Sequence, residues 1–108
     1  MNMINSIELL KGMINNNRMI LIYFGSTSCD VCNVIKPKIE DLLKAYPKIN
    51  SAQIDAGKSL EISSDYNIFT IPAILVFIDG KEVIREARYI SIQDINHKIE
   101  RYYKMIFE

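Results

Sequence analysis

The sequence predicts an α/β fold built on a mixed sheet with helices on both faces. Three observations lead there. Apolar runs suited to strands alternate with stretches of helical periodicity, the pattern of a parallel sheet. Two of those runs, Met19–Phe24 and Ala73–Ile78, are apolar without alternation, as expected of strands covered on both faces. Asp79-Gly80 separates the second run from a charged stretch, Lys81–Arg88, which reads as a hairpin ending in an antiparallel edge strand.

The elements follow in order. Asn5–Asn15 reads as a helix, with capping-box spacing between Asn5 and Glu8 and with Ile7, Leu10 and Ile14 on one face. The run Asn15-Asn16-Asn17 stops it, because asparagine favours turns over helix interiors. The strand Met19–Phe24 leads into the small-residue loop Gly25-Ser26-Thr27-Ser28 and then into Cys29-Asp30-Val31-Cys32. From there to Tyr46 the pattern is helical. Val31, Val34, Ile35, Ile39, Leu42 and Tyr46 hold the apolar spacing, and Lys36, Lys38, Glu40, Asp41 and Lys44 take the other face. Pro37 should kink this helix rather than end it, since the periodicity continues beyond it.

Asn50–Asp55 reads as a shorter strand and Ser59–Tyr66 as a short helix with Leu60 and Ile62 inward. Residues 67–72 are an extended approach to Pro72 and the strand Ala73–Ile78. Ser91 and Asp94 have cap spacing for a last helix reaching Phe107, with Ile95, Ile99, Tyr102 and Ile106 on its buried face. The sheet then has four strands, or five if residues 1–4 add a short edge strand, and right-handed crossovers place helices on both sides.

Composition narrows the function. A chain of 108 residues has the size of one domain, read here as residues 1–108, and 49% hydrophobic residues suffice for a core without disulfide staples. Thirteen basic residues balance thirteen acidic ones, which argues against a nucleic-acid binder. The longest apolar run is too short to span a bilayer, and no basic segment followed by a long apolar stretch opens the chain, so the expected setting is the cytoplasm, away from membranes.

The chain has two cysteines, three positions apart. In a reducing compartment such a pair points to redox chemistry or metal binding rather than to a structural staple. Zinc needs four ligands, and His97, far along the chain, is the one histidine, so no metal site is expected. Cys29 follows a buried strand and opens a helix, where unpaired backbone N–H groups and the helix dipole favour an anion. The thiolate is the nucleophile in disulfide exchange. Cys29 is therefore the expected attacking thiol, and Cys32, one turn further in, the thiol that resolves the mixed disulfide. Two inert buried cysteines acting as small hydrophobes are the plain alternative.

The strand Leu21-Ile22-Tyr23-Phe24, the motif Cys29-Asp30-Val31-Cys32, Pro37 eight residues after the first cysteine, Ile54-Asp55, Ile71-Pro72 and the hairpin Phe77-Ile78-Asp79-Gly80-Lys81 together resemble the thioredoxin family over nearly the whole chain. The resemblance implies a thioredoxin-like fold and a cis Ile71-Pro72 bond facing the cysteines. It also implies that the Ile71 backbone binds the extended segment of a substrate like an added strand, and that Pro72 keeps a backbone N–H away from the thiols and helps exclude metal. The implied activity is thiol–disulfide oxidoreduction, acting on protein disulfides without a dissociable cofactor. A reductase or a small thiol would supply electrons, and the protein would work as a monomer.

The chain departs from the family pattern at several positions. Ser28 stands where tryptophan is usual, Asp30-Val31 where Gly-Pro is usual, Tyr23 at a position often held by a buried aspartate, Ser51 at that of its partner lysine, and a groove glycine is replaced near Tyr89. Asp30 suits a helix start but disfavours a second negative charge at Cys29, so Asp30 and Val31 are expected to modulate the pair. Tyr23 reads as core filler with its hydroxyl paired. The clusters Lys36/Lys38 and Arg85/Glu86/Arg88 read as solvated faces, the methionines as core filler, and Tyr102 and Tyr103 as one packed and one exposed position. A redox sensor or adaptor that binds one partner without general turnover is the alternative function, and a scaffold with inert thiols a third.

Overall fold

The two continuously apolar segments lie side by side near the centre of a five-stranded sheet in the computed structural model, which describes residues 1–108. The elements are β1 (Asn2–Met3), α1 (Ile7–Asn16), β2 (Met19–Gly25), α2 (Asp30–Leu43), β3 (Asn50–Asp55), α3 (Leu60–Asp65), β4 (Ala73–Ile78), β5 (Lys81–Ala87) and α4 (Ile92–Phe107). The strand order is β1-β3-β2-β4-β5. The β1–β3 and β3–β2 pairs are parallel, while β2–β4 and β4–β5 are antiparallel.

All seven residues of β2 are buried, and the side-chain alternation of a strand explains why its sequence does not alternate. Ile20, Ile22 and Phe24 point to one face, where Leu10 and Ile14 of α1 and Ile62 of α3 cover them. Met19, Leu21 and Tyr23 point to the other, against Ile39 of α2 and Ile95 and Ile99 of α4. Both faces of the sheet are therefore dry, and an apolar side chain is stabilised at every position. At the tip of the β4–β5 hairpin, Asp79 and Gly80 both have positive φ (50° and 82°), as a two-residue turn matched to strand twist requires. The edges are β5, with its charges, and β1, only two residues long.

Several boundaries and faces differ from the sequence reading. Ser6, not Asn5, caps α1, its hydroxyl accepting the Leu9 N–H at 3.2 Å. At α4 the expected cap is present, Ser91 accepting the Asp94 N–H. α2 ends at Leu43, and Tyr46 reaches the core from the following turn. Val31 and Val34 are more than half exposed, because the face of α2 turned inward runs through Cys32, Ile35, Ile39, Leu42 and Leu43 and leaves these two valines beside or opposite it. Leu60 points to solvent while Ile62 is buried. Met19 is core, whereas Met3 and Met105 are exposed. Tyr102 and Tyr103 are both half-buried, and the Tyr103 ring lies edge-on to Tyr46 at 5.1 Å.

Truncations on α2 separate its periodicity from its actual burial. Ile39→Ala should lower stability by about 2–5 kcal/mol, the usual loss on emptying a filled core site, while Val34→Ala should stay within about 0.5 kcal/mol. Urea unfolding of the two variants reads the difference. Equal losses would show that both side chains are packed.

Candidate active site

The loop after β2 is fixed by short polar links. The hydroxyls of Ser26 and Ser28 lie 3.0 Å apart, the Cys29 N–H donates to the Ser26 carbonyl at 3.2 Å, and Asn33 Nδ2 donates to the Thr27 carbonyl at 3.0 Å. These links place Cys29 at the N-cap of α2, with extended backbone (φ −99°, ψ 110°). Its carbonyl accepts the first helical bond, from Asn33 N–H at 3.1 Å. Its sulfur takes the role that a serine or aspartate oxygen plays in other caps, accepting the Cys32 N–H at 3.2 Å. Cys29 and Cys32 are joined as a disulfide with Cα atoms 5.2 Å apart. Cys29 is half-buried and Cys32 is 2% exposed, so an incoming group reaches Cys29 first. Asp30 and Val31 are both exposed at the helix start.

Ile71 and Pro72 lie at the same end of the sheet. β2 and β4 run antiparallel with Phe24 opposite Ala73, so the loop leaving β2 and the segment entering β4 share one edge of the molecule. The Ile71-Pro72 bond is cis, as the resemblance implies. Pro72 is buried and its carbonyl accepts the Arg88 N–H at 2.8 Å, while the backbone N–H and carbonyl of Ile71 bond to no other group of the chain. That link brings the end of β5 to the site. Val31 and Ile35 face Arg88, Tyr89, Ile90 and Ser91 across an open groove. Within that turn the backbone favouring glycine belongs to Arg88 (φ 67°), next to the Tyr89 position marked in the sequence.

Beneath the cysteines, Tyr23 is 2% exposed and its hydroxyl donates to the Cys32 carbonyl at 3.1 Å. The sequence reading of a core tyrosine with a paired hydroxyl holds. Pro37, lacking an N–H, withdraws a bond from this part of α2, and the tyrosine braces the carbonyl one residue earlier than the one left open. Burial, with the Glu40 carboxylate adding to it, pushes the Tyr23 hydroxyl up to about 12. Its ring fits because residue 25 is glycine. A Cβ there would stand 2.7 Å from the ring edge and 2.8 Å from the hydroxyl oxygen.

Beside this brace lies a cavity of about 80 Å³, its wall including Tyr23, Cys32, Lys36, Gln53 and Asp55. Three of these side chains were not singled out as site residues in the sequence. Lys36, grouped there with the solvated face, is half-buried and turned to the cavity, whereas Lys38 is exposed. Ser51 pairs with Leu21, a full pleat away from Tyr23, which pairs with Gln53. No group of three or more His, Cys, Asp or Glu side chains is placed to hold a metal ion.

Comparison with known proteins places this geometry among relatives. The family model described as thioredoxin matches residues 4–101. A thioredoxin-like protein, YdfQ, of Bacillus subtilis is 30% identical over 102 residues, covering 94% of this chain and 91% of the relative. The thioredoxin of Chlamydia trachomatis is 31% identical over 67 residues, 62% of this chain and 66% of its own. Among solved structures, the thioredoxin of Fasciola hepatica superimposes with a TM-score of 0.85 at 28% identity, covering 94% of this chain and 98% of that one.

The raised Tyr23 hydroxyl has a signed consequence. The folded chain holds a proton that the unfolded chain releases near pH 10, so this contribution is full below pH 10 and is lost as pH rises to about 12. Tyr23→Phe should remove that part of the alkaline loss and lower stability at neutral pH by about 1 kcal/mol through the lost hydrogen bond. Tyr46 and Tyr66 are raised in the same direction and leave a residual slope. Urea unfolding across pH 8–12 tests this; identical slopes in both proteins would count against it.

Proposed function

The chain belongs to the thioredoxin family and is a thiol–disulfide oxidoreductase, and we propose that it reduces protein disulfides through Cys29 and Cys32. The observation that carries the reading is the capping contact, in which the sulfur of Cys29 accepts the Cys32 N–H at the start of α2 while bonded to a buried partner sulfur. A helix N-terminus that donates to sulfur favours the thiolate over the thiol.

In the reduced protein the Cys29 thiolate attacks one sulfur of a substrate disulfide. A Cys29–substrate disulfide forms, and the other substrate sulfur leaves as a thiolate that takes up a proton. Cys32 then gives up its proton and attacks the Cys29 sulfur. The Cys29–Cys32 bond forms, and the second substrate sulfur leaves and is protonated. Two electrons and two protons pass to the substrate, and the protein ends as the disulfide seen here. A reductase or a small thiol restores the dithiol, with no dissociable cofactor.

Ile71 and Pro72 form the substrate-binding element of this proposal. The unpaired N–H and carbonyl of Ile71 can take one extended residue beside the disulfide, in the manner of strand addition. Asp30 and Val31 modulate the pair, Asp30 by holding a negative charge beside Cys29. We take the protein as one domain and as a monomer working in the cytoplasm, a reducing setting that favours disulfide reduction. No helix is long and apolar enough to cross a membrane. The second reading, redox-dependent binding of one partner without turnover, is favoured by two exposed aromatic residues, Phe69, two positions before Ile71, at 86% and Tyr89, in the groove facing Val31, at 87% exposure.

A redox titration in dithiothreitol buffers, with free thiols counted by intact mass after alkylation, should show a reversible two-electron couple as reducing as the cytosol. Insulin reduction should fall to background in Cys29→Ser, and Cys32→Ser should accumulate mixed disulfides. Redox-dependent binding to one partner without insulin turnover would establish the second reading instead. Asp30→Gly should lower the pH at which Cys29 titrates; an unchanged or higher value would remove the role given to Asp30.

A further inference from the structure

The resolving step needs Cys32 as a thiolate, and Cys32 lacks the advantages of Cys29. It is 2% exposed, and burial disfavours its charged form. It is not the cap residue, and its own N–H is spent on the Cys29 sulfur. The Tyr23 hydroxyl below it is committed to the Cys32 carbonyl and stays protonated at any working pH. Phenol therefore cannot take the thiol proton.

The cavity of about 80 Å³ supplies what is missing. It reaches Cys32 and is large enough to admit water. The titratable and charged groups around Cys32 are Tyr23 from β2, Asp55 from β3, and, on α2 itself, Cys29, Asp30, Lys36 and Glu40. Lys36 is the one cation among them. It lies one turn beyond Cys32, on the same helix face, and helical side chains lean back toward the preceding turn. It makes no ion pair, unlike Lys44, Lys98 and Lys104. The Asp55 carboxylate is turned partly away, one oxygen accepting the N–H groups of Gly57 and Lys58 at 3.0 and 3.2 Å.

We propose that Lys36 is the positioning residue of the resolving step, its ammonium group stabilising the Cys32 thiolate across the cavity as the thiol proton passes to cavity water. The assignment rests on the Cys29–Cys32 exchange proposed above. The proton leaves through the cavity, and the sulfur electron pair it leaves behind forms the bond to Cys29 as the substrate sulfur departs.

Ellman's reagent separates the two steps in the reduced full chain. Attack by Cys29 releases the first thionitrobenzoate, and attack by Cys32 on the mixed disulfide releases the second. Lys36→Met should leave the first release within twofold and slow the second about tenfold at pH 7, with the pH profile of the second moved up by about one unit. Lys36→Arg should restore the wild-type profile. In a Cys29→Ser background, NMR titration of the Cys32 Cβ should show the same upward move in Lys36→Met and none in Lys36→Arg. An unmoved second-phase profile overturns the role of Lys36, and slowing in Asp55→Asn with no effect of Lys36→Met would give the step to Asp55 as proton acceptor. A wild-type protein that releases no second thionitrobenzoate would instead overturn the exchange reading itself.

Discussion

Strand β2 has a strand on each edge and helices over each face, so its seven residues lose contact with water and each side chain must fit a different neighbour. That constraint places everything near the cysteines. The even-numbered residues lock α1 and α3 to the sheet, and the odd-numbered ones lock α2 and α4. A strand held so firmly delivers the chain to a fixed point at Gly25. The short loop beyond it has little freedom in where it starts α2.

The chemistry grows from that fixed point. Cys29 gains an N–H donor because it is the last residue before a helix, and Cys32 is buried because it is the first residue of that helix to face the sheet. The two sulfurs thus receive opposite environments from a single turn of backbone. The partly exposed sulfur can meet a substrate, and the buried one can meet only Cys29 or the small cavity below. Order of reaction is in this sense a property of depth.

Features fixed by local rules were legible in the sequence. The Asp79-Gly80 turn needs two residues with positive φ, the Ser91 cap needs a hydroxyl three residues before Asp94, and the two unbroken apolar runs need covering on both sides. The cysteine pair and Ile71-Pro72 were visible as motifs. What depends on which part of an apolar face is covered was not. The apolar spacing of α2 includes Val31 and Val34, but the covered face runs through Cys32, Ile35, Ile39 and Leu43. Leu60 matches an inward pattern in a helix of six residues, too short for periodicity to fix a face. Lys36 was hidden for another reason. A lysine on a helix reads as surface, and nothing in a linear pattern tells that this one is half-buried and lines a cavity.

The ring of Tyr23 and the bare Cα of Gly25 occupy one space between them. They are therefore a single inherited unit rather than two independent letters. A lineage that exchanged Gly25 for any larger residue would first have to surrender the tyrosine, and with it the brace on the Cys32 carbonyl. A lineage that gave up the tyrosine would leave a hole over the glycine. The pair is in that respect self-sealing, kept in place by volume as well as by chemistry.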